Sequence, residues 1–423
     1  MIELLPLLHI QFQTKTKNQI QTQPNQPTHS IGYCTNVHPG RNLRELRQSL
    51  LCEAAEVSRL VGGTSLPLGV WLSAETARQL HEQPDEAKRL RDDVMQHGMY
   101  FAAVNAFPYS NFGAARVKTL VYEPNWCNAG RALYTMAVAE LLPLLLPVGA
   151  THASISTLPL GWRPKFSAEG CGASVGIAAA QLEQTARGLA RIEARTGLRI
   201  TLDIEPEPGC AIQTSQELVD FITHCLRPSV GDQTLRRHLG ACVDICHGAV
   251  MGEAPERVFD LCNAAGIEVH RVHLSSALMG DTREQHLRAL QRFDEPRYLH
   301  QVVTGCPHEP RVWEDIPNFL DWAKSQAAQL HQPSPASRTE WRCHFHLPIF
   351  LRQVENFSTT TDAIEPSLRR AATLTNAFIE VETYAWAQLP TPAAANLPEG
   401  IAREILHARA LLAKVAHSVE AST

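Results

Sequence analysis

Residues 199–209 read RITLDIEPEPG, and residues 239–247 read LGACVDICH. Each is a short, nearly continuous apolar run that ends abruptly on polar residues. The first stops at Glu205-Pro206-Glu207-Pro208-Gly209, the second at Asp244 with His247 three residues on. Runs of this kind fit strands of a parallel sheet covered on both faces. Comparable runs lie at 31–37 (IGYCTNV), 66–72 (LPLGVWL), 99–107 (MYFAAVNAF), 150–157 (ATHASIST), 268–275 (EVHRVHLS) and 378–383 (FIEVET). Amphipathic segments such as 42–60, 129–146 and 173–196 separate them and read as helices. Eight strands alternating with helices predict a parallel (β/α)8 barrel. A doubly wound sheet is the competing layout, but the first strand is not followed by Gly-x-Gly-x-x-Gly.

Three stretches fall outside that alternation. Residues 1–30, rich in Gln, Asn, Thr and Pro from Gln11 onward, have little to bury and read as a disordered extension. The barrel occupies 31–390, with an insertion over about 295–355 that carries two more strand-like runs, 298–304 (YLHQVVT) and 342–350 (RCHFHLPIF). These predict a two-stranded ribbon near the barrel mouth. Residues 391–423 are a Pro/Ala-rich linker and a C-terminal amphipathic helix, with Pro398 suited to its first turn.

Composition narrows the function. The 423 residues are 44% hydrophobic and 19% charged, enough to bury a large core. Lys and Arg number 38 against 43 Asp and Glu, a net charge of -5, so nucleic acid is not an expected partner. None of the 11 cysteines forms a Cys-x-x-Cys pair, and Cys34, Cys210, Cys242, Cys246 and Cys343 fall in or at the ends of strand-like runs. Reduced, buried thiols of a cytoplasmic protein are expected, without a zinc ribbon. The longest apolar run, 137–148, contains Glu140 and two prolines and is too short to span a bilayer. The first residues carry Glu3 and no basic leader, a poor signal peptide.

In a barrel, chemistry gathers where strands end. Glu205 ends the fifth strand, and Glu207 beside it reads equally well as a solvated turn residue. Asp244 alternates with Cys242 and Cys246, and His247 folds back over the mouth. His273 lies at matching depth in the seventh strand, although a lone strand histidine often serves only the core. Glu380 and Glu382 share a face of the last strand, and Glu382 is nearer its end. Glu205, Asp244, His273, Glu382 and His247 therefore form the candidate ligand set for a divalent ion: manganese, iron, cobalt or zinc. Glu205 and Glu382 are also the candidate acid–base pair. His38, Asn105, His300, His344 and His346 are candidate substrate contacts, with His344 and His346 on one face of their strand. Trp162, Arg163 and Lys165 after the fourth strand suit an acidic group or a solvated loop.

This constellation resembles the xylose-isomerase-like barrel superfamily, which includes sugar isomerases, epimerases and nucleases of the endonuclease IV type. Asp244-Ile245-Cys246-His247 is similar to the Asp-Thr-Cys-His of those nucleases, and Val381-Glu382-Thr383 to their closing Glu-Thr. Trp71 and Asn105 stand near the places of two nuclease histidines, and the Asp-Arg-His is at best Tyr298-Leu299-His300. The sugar-isomerase pattern of Glu, Asp, His and Glu is met by Glu205, Asp244, His273 and Glu382. A longer resemblance, to the EboE family of metabolite-traffic proteins, rests on 33–40 (YCTNVHPG), 104–109 (VNAFPY), 154–159 (SISTLP), 205–209 (EPEPG), 344–348 (HFHLP) and 380–384 (EVETY). It implies a role in moving a secondary-metabolite precursor, with partners that include a UbiA-type prenyltransferase.

The leading expectation is a metal-dependent isomerase or epimerase acting on a small hydroxy-carbonyl substrate. A barrel that binds and hands on a metabolite unchanged is the alternative. Phosphoester hydrolysis with His344 and His346 at a second metal is a third. On this reading one ion suits the isomerase, two or three a hydrolase, and none a carrier.

Overall fold

The computed structural model describes residues 30–63, 65–168, 171–226, 232–306, 308–329, 338–389 and 396–420. The N-terminal extension before residue 30 and most of the Pro/Ala linker lie outside the described residues. Seven strands in chain order open the fold: β1 (Ile31–Cys34), β2 (Leu66–Trp71), β3 (Met99–Asn105), β4 (His152–Thr157), β5 (Arg199–Ile204), β6 (Leu239–Asp244) and β7 (Val269–Leu274). Six more follow: β8 (Ser276–Asp281), β9 (Val302–Thr304), β10 (Arg311–Trp313), β11 (Glu340–Leu347), β12 (Gln353–Val354) and β13 (Phe357–Thr359). The last, β14 (Phe378–Val381), pairs in parallel with both β7 and β1 and closes an eight-stranded barrel. The expected (β/α)8 architecture is present. Every residue of β2, β5, β6 and β7 is buried, as strands with helices outside and packed side chains inside must be.

The insertion is larger than the expected ribbon. The two runs read from sequence appear as β9 and β11, which do pair antiparallel, but they form the middle of a six-stranded sheet ordered β10-β9-β11-β8-β13-β12. Strand β8 starts only one residue after β7 and pairs with β11. SALMGD, with Gly280 and Asp281 at its end, has no strand signature, and β10, β12 and β13 span only three, two and three residues. No period can show itself over such lengths.

The C-terminal helix, Leu397–Glu420, packs on β1 and β14 and between helices Ala55–Leu60 and Ile364–Ala371. It thereby takes the eighth place in the outer ring of the barrel. A Cβ at Gly400 would stand 2.7 Å from Trp386, so a glycine there lets helix and ring approach.

Candidate metal centre and cleft

The four residues expected to share an ion do converge. Glu205 is the first residue beyond β5, Asp244 the last of β6, His273 the fifth of β7, and Glu382 the first beyond β14. All are buried, and one ligand atom from each lies within 4.8 Å of the others. His273 Nδ1 stands 3.0 Å from Glu205 Oε1, 2.8 Å from Glu382 Oε2 and 3.7 Å from Asp244 Oδ2. Its other nitrogen, Nε2, lies 3.0 Å from Glu380 Oε1. Donation of the Nε2 proton to Glu380 turns the Nδ1 lone pair toward three carboxylates, the second-shell arrangement of a metal-binding histidine.

Asp244 shows how local structure sets such a ligand. It caps the helix Ile245–Met251, and Oδ1 accepts the His247 amide at 2.8 Å. That leaves Oδ2 turned into the barrel, buried and without a hydrogen-bond partner; Glu205 Oε2 is in the same state. Orphaned, buried carboxylate oxygens around an imidazole lone pair are costly unless a cation joins them. The donor set therefore fits a divalent ion.

Glu382 is held from its other side. Asn36 and Asn105 donate to Oε1 at 2.8 and 3.0 Å, and Asn105 Oδ1 in turn accepts from the Phe107 amide. Asn105, expected to meet substrate, lines the cleft and also orients this carboxylate. Asn36 has no signal of its own in the sequence beside the more conspicuous His38. The 3-10 turn Thr35–Val37 explains the difference. It turns Asn36 inward, while His38 is buried against Tyr33 and 2.6 Å from Glu53 and does not line the cleft.

His247, His344 and His346 cluster beside the four-ligand set. Strand β11 loses regular register with β8 between Cys343 and Leu347, the span that carries the latter two. A register irregularity of this kind re-aims side chains. Burial and the neighbouring His247 and His346 hold His344 well below the usual imidazole range. Burial likewise lowers His346, whereas at His247 it is outweighed by Asp244 and the nearby glutamates, and the net direction is upward. His300, expected at the substrate, instead stacks on Phe345 with ring centroids 3.7 Å apart and is hydrogen-bonded to the His344 carbonyl. It supports β11 from behind.

A cleft enclosing about 530 Å³ of non-protein space, part of it open to solvent, lies over these groups. Phe107, Phe112, Tyr122, Tyr298 and Tyr384 wall it, with Glu205, Glu207, His247, His344, His346 and Glu382 at its base. Glu207 is not the solvated residue that its Pro-Glu-Pro setting allows. It is buried, accepts from the Tyr122 hydroxyl at 2.7 Å, and burial pushes it up to about 7. Tyr122 stacks on Trp162, which thus braces the wall, and Arg163 is committed to Glu217 and the 210–211 carbonyls.

No protein-family model matches the chain, and no curated protein matches it. Solved structures similar to it include a D-tagatose 3-epimerase-like protein at 12% identity, covering 93% of this chain and 99% of that one, TM-score 0.48. Another is a xylose isomerase-like TIM barrel protein from Mycobacterium smegmatis in complex with magnesium, at 11% identity, 92% and 98% coverage, TM-score 0.48. A xylose isomerase domain protein from Alicyclobacillus acidocaldarius is similar at 14% identity, 92% and 99% coverage, TM-score 0.46. Among the described residues no helix is long and apolar enough to cross a membrane.

The C-terminal helix reaches the site through Glu404, which is fully buried. Its Oε1 accepts from the Thr383 hydroxyl at 2.8 Å and the Ile349 amide at 3.0 Å, tying the chain just beyond Glu382 to the chain just beyond His346. Burial raises this carboxyl to about 8 from 4.5. A carboxyl with a raised folded pKa is neutral at low pH and increasingly opposes folding as pH climbs from about 4.5 to about 8. Glu404→Gln is expected to abolish that slope in denaturant unfolding. Glu404→Ala should cost roughly 1–3 kcal/mol at neutral pH, because two buried donors lose their acceptor.

Proposed function

We propose that the barrel mouth is the active site of a metal-dependent isomerase or epimerase for a small hydroxy-carbonyl compound of the sugar or polyol type. The observation that carries this reading is the convergence of Glu205 and Glu382 on one imidazole nitrogen, from β5 and β14, at the base of an aromatic-walled cleft. A divalent ion held by Glu205, Asp244, His273 and Glu382 would supply Lewis acidity, polarising a carbonyl and acidifying the neighbouring C–H. Glu205, with Oε2 unpartnered, takes the proton from one face of the substrate. Glu382 returns it on the other, its Oε1 fixed by the two asparagine amides. Two carboxylates serve because inversion removes and delivers hydrogen on opposite faces. The aromatic walls exclude water and present flat apolar faces to the carbon skeleton, and Tyr122 with Glu207 offers hydroxyl contacts.

The quoted EboE-like stretches support a finer form of the proposal. In it the substrate is a secondary-metabolite precursor, handled in the cytoplasm and passed to partners that include a UbiA-type prenyltransferase. Phosphoester hydrolysis is the second reading, favoured by the histidine cluster next to the four-ligand set. Elemental analysis of the purified protein, followed by ketose and epimer pairs incubated in deuterated water, tests the first reading. Bound manganese, iron, cobalt or zinc with solvent deuterium at one carbon is the expected result. A protein that cannot be loaded with any divalent ion rules it out, and turnover confined to phosphodiesters transfers the site to the second reading.

A further inference from the structure

We infer that the hydroxy-carbonyl substrate carries an apolar substituent where a free sugar would carry further hydroxyls, and that Phe112, Val117, Tyr298 and Tyr384 form the subsite that holds it. The inference rests on the proposed reaction for the reacting end of the molecule and adds what lies beyond that end.

The four side chains come from three separate segments. Phe112 and Val117 lie in the chain between β3 and the helix Ala129–Leu145, Tyr298 in the insertion, and Tyr384 just beyond β14. The rings pack against one another, with centroids 4.9 Å apart for Phe112 and Tyr298, 5.4 Å for Phe112 and Tyr384, and 4.9 Å for Tyr298 and Tyr384. Trp71 backs Phe112 at 6.3 Å, and its own indole N–H donates to the Pro108 carbonyl at 3.0 Å. The Val117 and Lys118 amides both donate to the Arg297 carbonyl at 2.8 Å, which joins the chain after β3 to the insertion. Tyr384 carries this surface down to the base of the cleft, where it stacks on His346. Phe112, Val117 and Tyr298 are only 8, 6 and 8% exposed, so little water reaches the space they bound. The surface is fixed in place and continuous with the groups that hold the reacting end.

Hydrogen bonding decides what can lie there. A free sugar brings a hydroxyl on nearly every carbon, and each one left buried without a partner lowers affinity roughly tenfold or more. The side chains that line the cleft above its base have few partners to give. The Tyr122 hydroxyl already donates to Glu207 Oε1 at 2.7 Å and accepts from Gln301 Nε2 at 2.9 Å. Lys118 is the one Lys or Arg among the described residues lining the cleft, and its Nζ donates to Asp315 Oδ2 at 2.5 Å. Asn105 spends its NH2 on Glu382 and its carbonyl on the Phe107 amide. Away from the base, at most the Tyr298 and Tyr384 hydroxyls remain. The base is the reverse case: carboxylates and imidazoles are concentrated there and suit a carbonyl, its neighbouring hydroxyl and an ion. Polar groups at one end and rings at the other match a molecule divided in the same way. Burial of the apolar end then supplies binding energy that orients the reacting one.

Two hydroxy ketones with the same head test the inference: erythrulose, whose tail is hydroxylated, and phenethyl hydroxymethyl ketone, whose tail is not. Each is titrated calorimetrically into the full-length protein supplied with manganese, then incubated with it in deuterated water. The phenethyl compound is expected to bind at least about 100-fold more tightly, since even one methylene in an apolar pocket is worth about 10–200-fold. Its hydrogens beside the carbonyl should also exchange at the lower concentration. Phe112→Ala should cut the preference to about tenfold or less while metal content stays the same. Val117→Thr keeps the shape of the side chain, places a hydroxyl in the wall and should lower the preference as well; it decides the matter if Phe112→Ala fails to fold. Equal or tighter binding of erythrulose overturns the inference, as does failure of both ketones to bind, or a preference that neither substitution lowers. Exchange in erythrulose with none in the phenethyl compound overturns it too, and leaves the proposed reaction standing. Tight binding of the phenethyl compound that depends on Phe112, without exchange in either ketone, sinks the reaction and leaves the apolar subsite.

Discussion

Glu382→Gln is expected to yield a folded protein whose catalysed C–H exchange is slower by about 10²–10⁴, the usual worth of a positioned proton-transfer group. The substitution is close to isosteric. Its amide oxygen can still accept from Asn36 and Asn105, where Glu382 Oε1 now sits at 2.8 and 3.0 Å, and its NH2 can donate toward His273 Nδ1. What disappears is the negative charge and the proton acceptor on one face of the substrate. Burial acts to raise the Glu382 carboxyl, but a protonated His273 more than offsets this and holds it below the ordinary range, so the group is ionised before an ion takes that proton's place. Glu205→Gln should impair exchange to a similar extent at the opposite face. Asn36→Ala and Asn105→Ala should each cost only about tenfold, since one amide remains to hold Oε1 after either change. The rate of deuterium incorporation, measured at saturating metal, separates these outcomes. Exchange in Glu382→Gln at the wild-type rate would remove Glu382 from the proton path.

How far the site could be read in advance depends on how local its signal is. Glu205, Asp244 and Glu382 each terminate an apolar strand. A strand-end carboxylate is visible in a single window because burial stops where it begins. His273 follows from depth along β7 once the barrel is assumed. Strand order then brings the four together, since β14, β7, β6 and β5 are consecutive neighbours. The orienting groups are carried by pieces without a period. Asn36 sits in a 3-10 turn of three residues, Tyr122 in another of five, and Gln301 just before a strand of three. Glu207 shows a different failure. Its Pro-Glu-Pro-Gly context describes a turn correctly, but whether that turn faces solvent is decided by Tyr122 and Gln301, residues 85 and 94 positions away. The pairing of β11 with β8, which places His344 and His346, is invisible for the same reason: SALMGD gives no hint that it is a strand.

Arg271→Leu is expected to destabilise the protein by about 3–5 kcal/mol. Arg271 and Glu380 are both wholly buried on adjacent strands of the barrel. Arg271 Nε donates to Glu380 Oε1 at 2.6 Å, Nη1 donates to the Val104 carbonyl at 2.6 Å, and Nη2 abuts the same carboxylate. The pair occupies space that Gly69 leaves open: a Cβ there would fall 1.8 Å from Glu380 Oε2 and 2.7 Å from Arg271 Nη2. Removing the arginine strands a carboxylate in the barrel interior with His273 as its remaining partner. The double variant Arg271→Leu/Glu380→Leu tests what the pair is for. Buried ion pairs replaced together by apolar residues often lose little stability, so the double variant should recover most of the loss in denaturant unfolding. Metal affinity should not recover, because Glu380 Oε1 fixes the proton on His273 Nε2 and with it the lone pair on Nδ1; a 10–100-fold weaker ion is expected. If the double variant regains affinity as well as stability, Glu380 has no part in setting the His273 tautomer. If the single variant unfolds within about 1 kcal/mol of the native protein, water reaches this layer of the barrel and the pair is not truly desolvated.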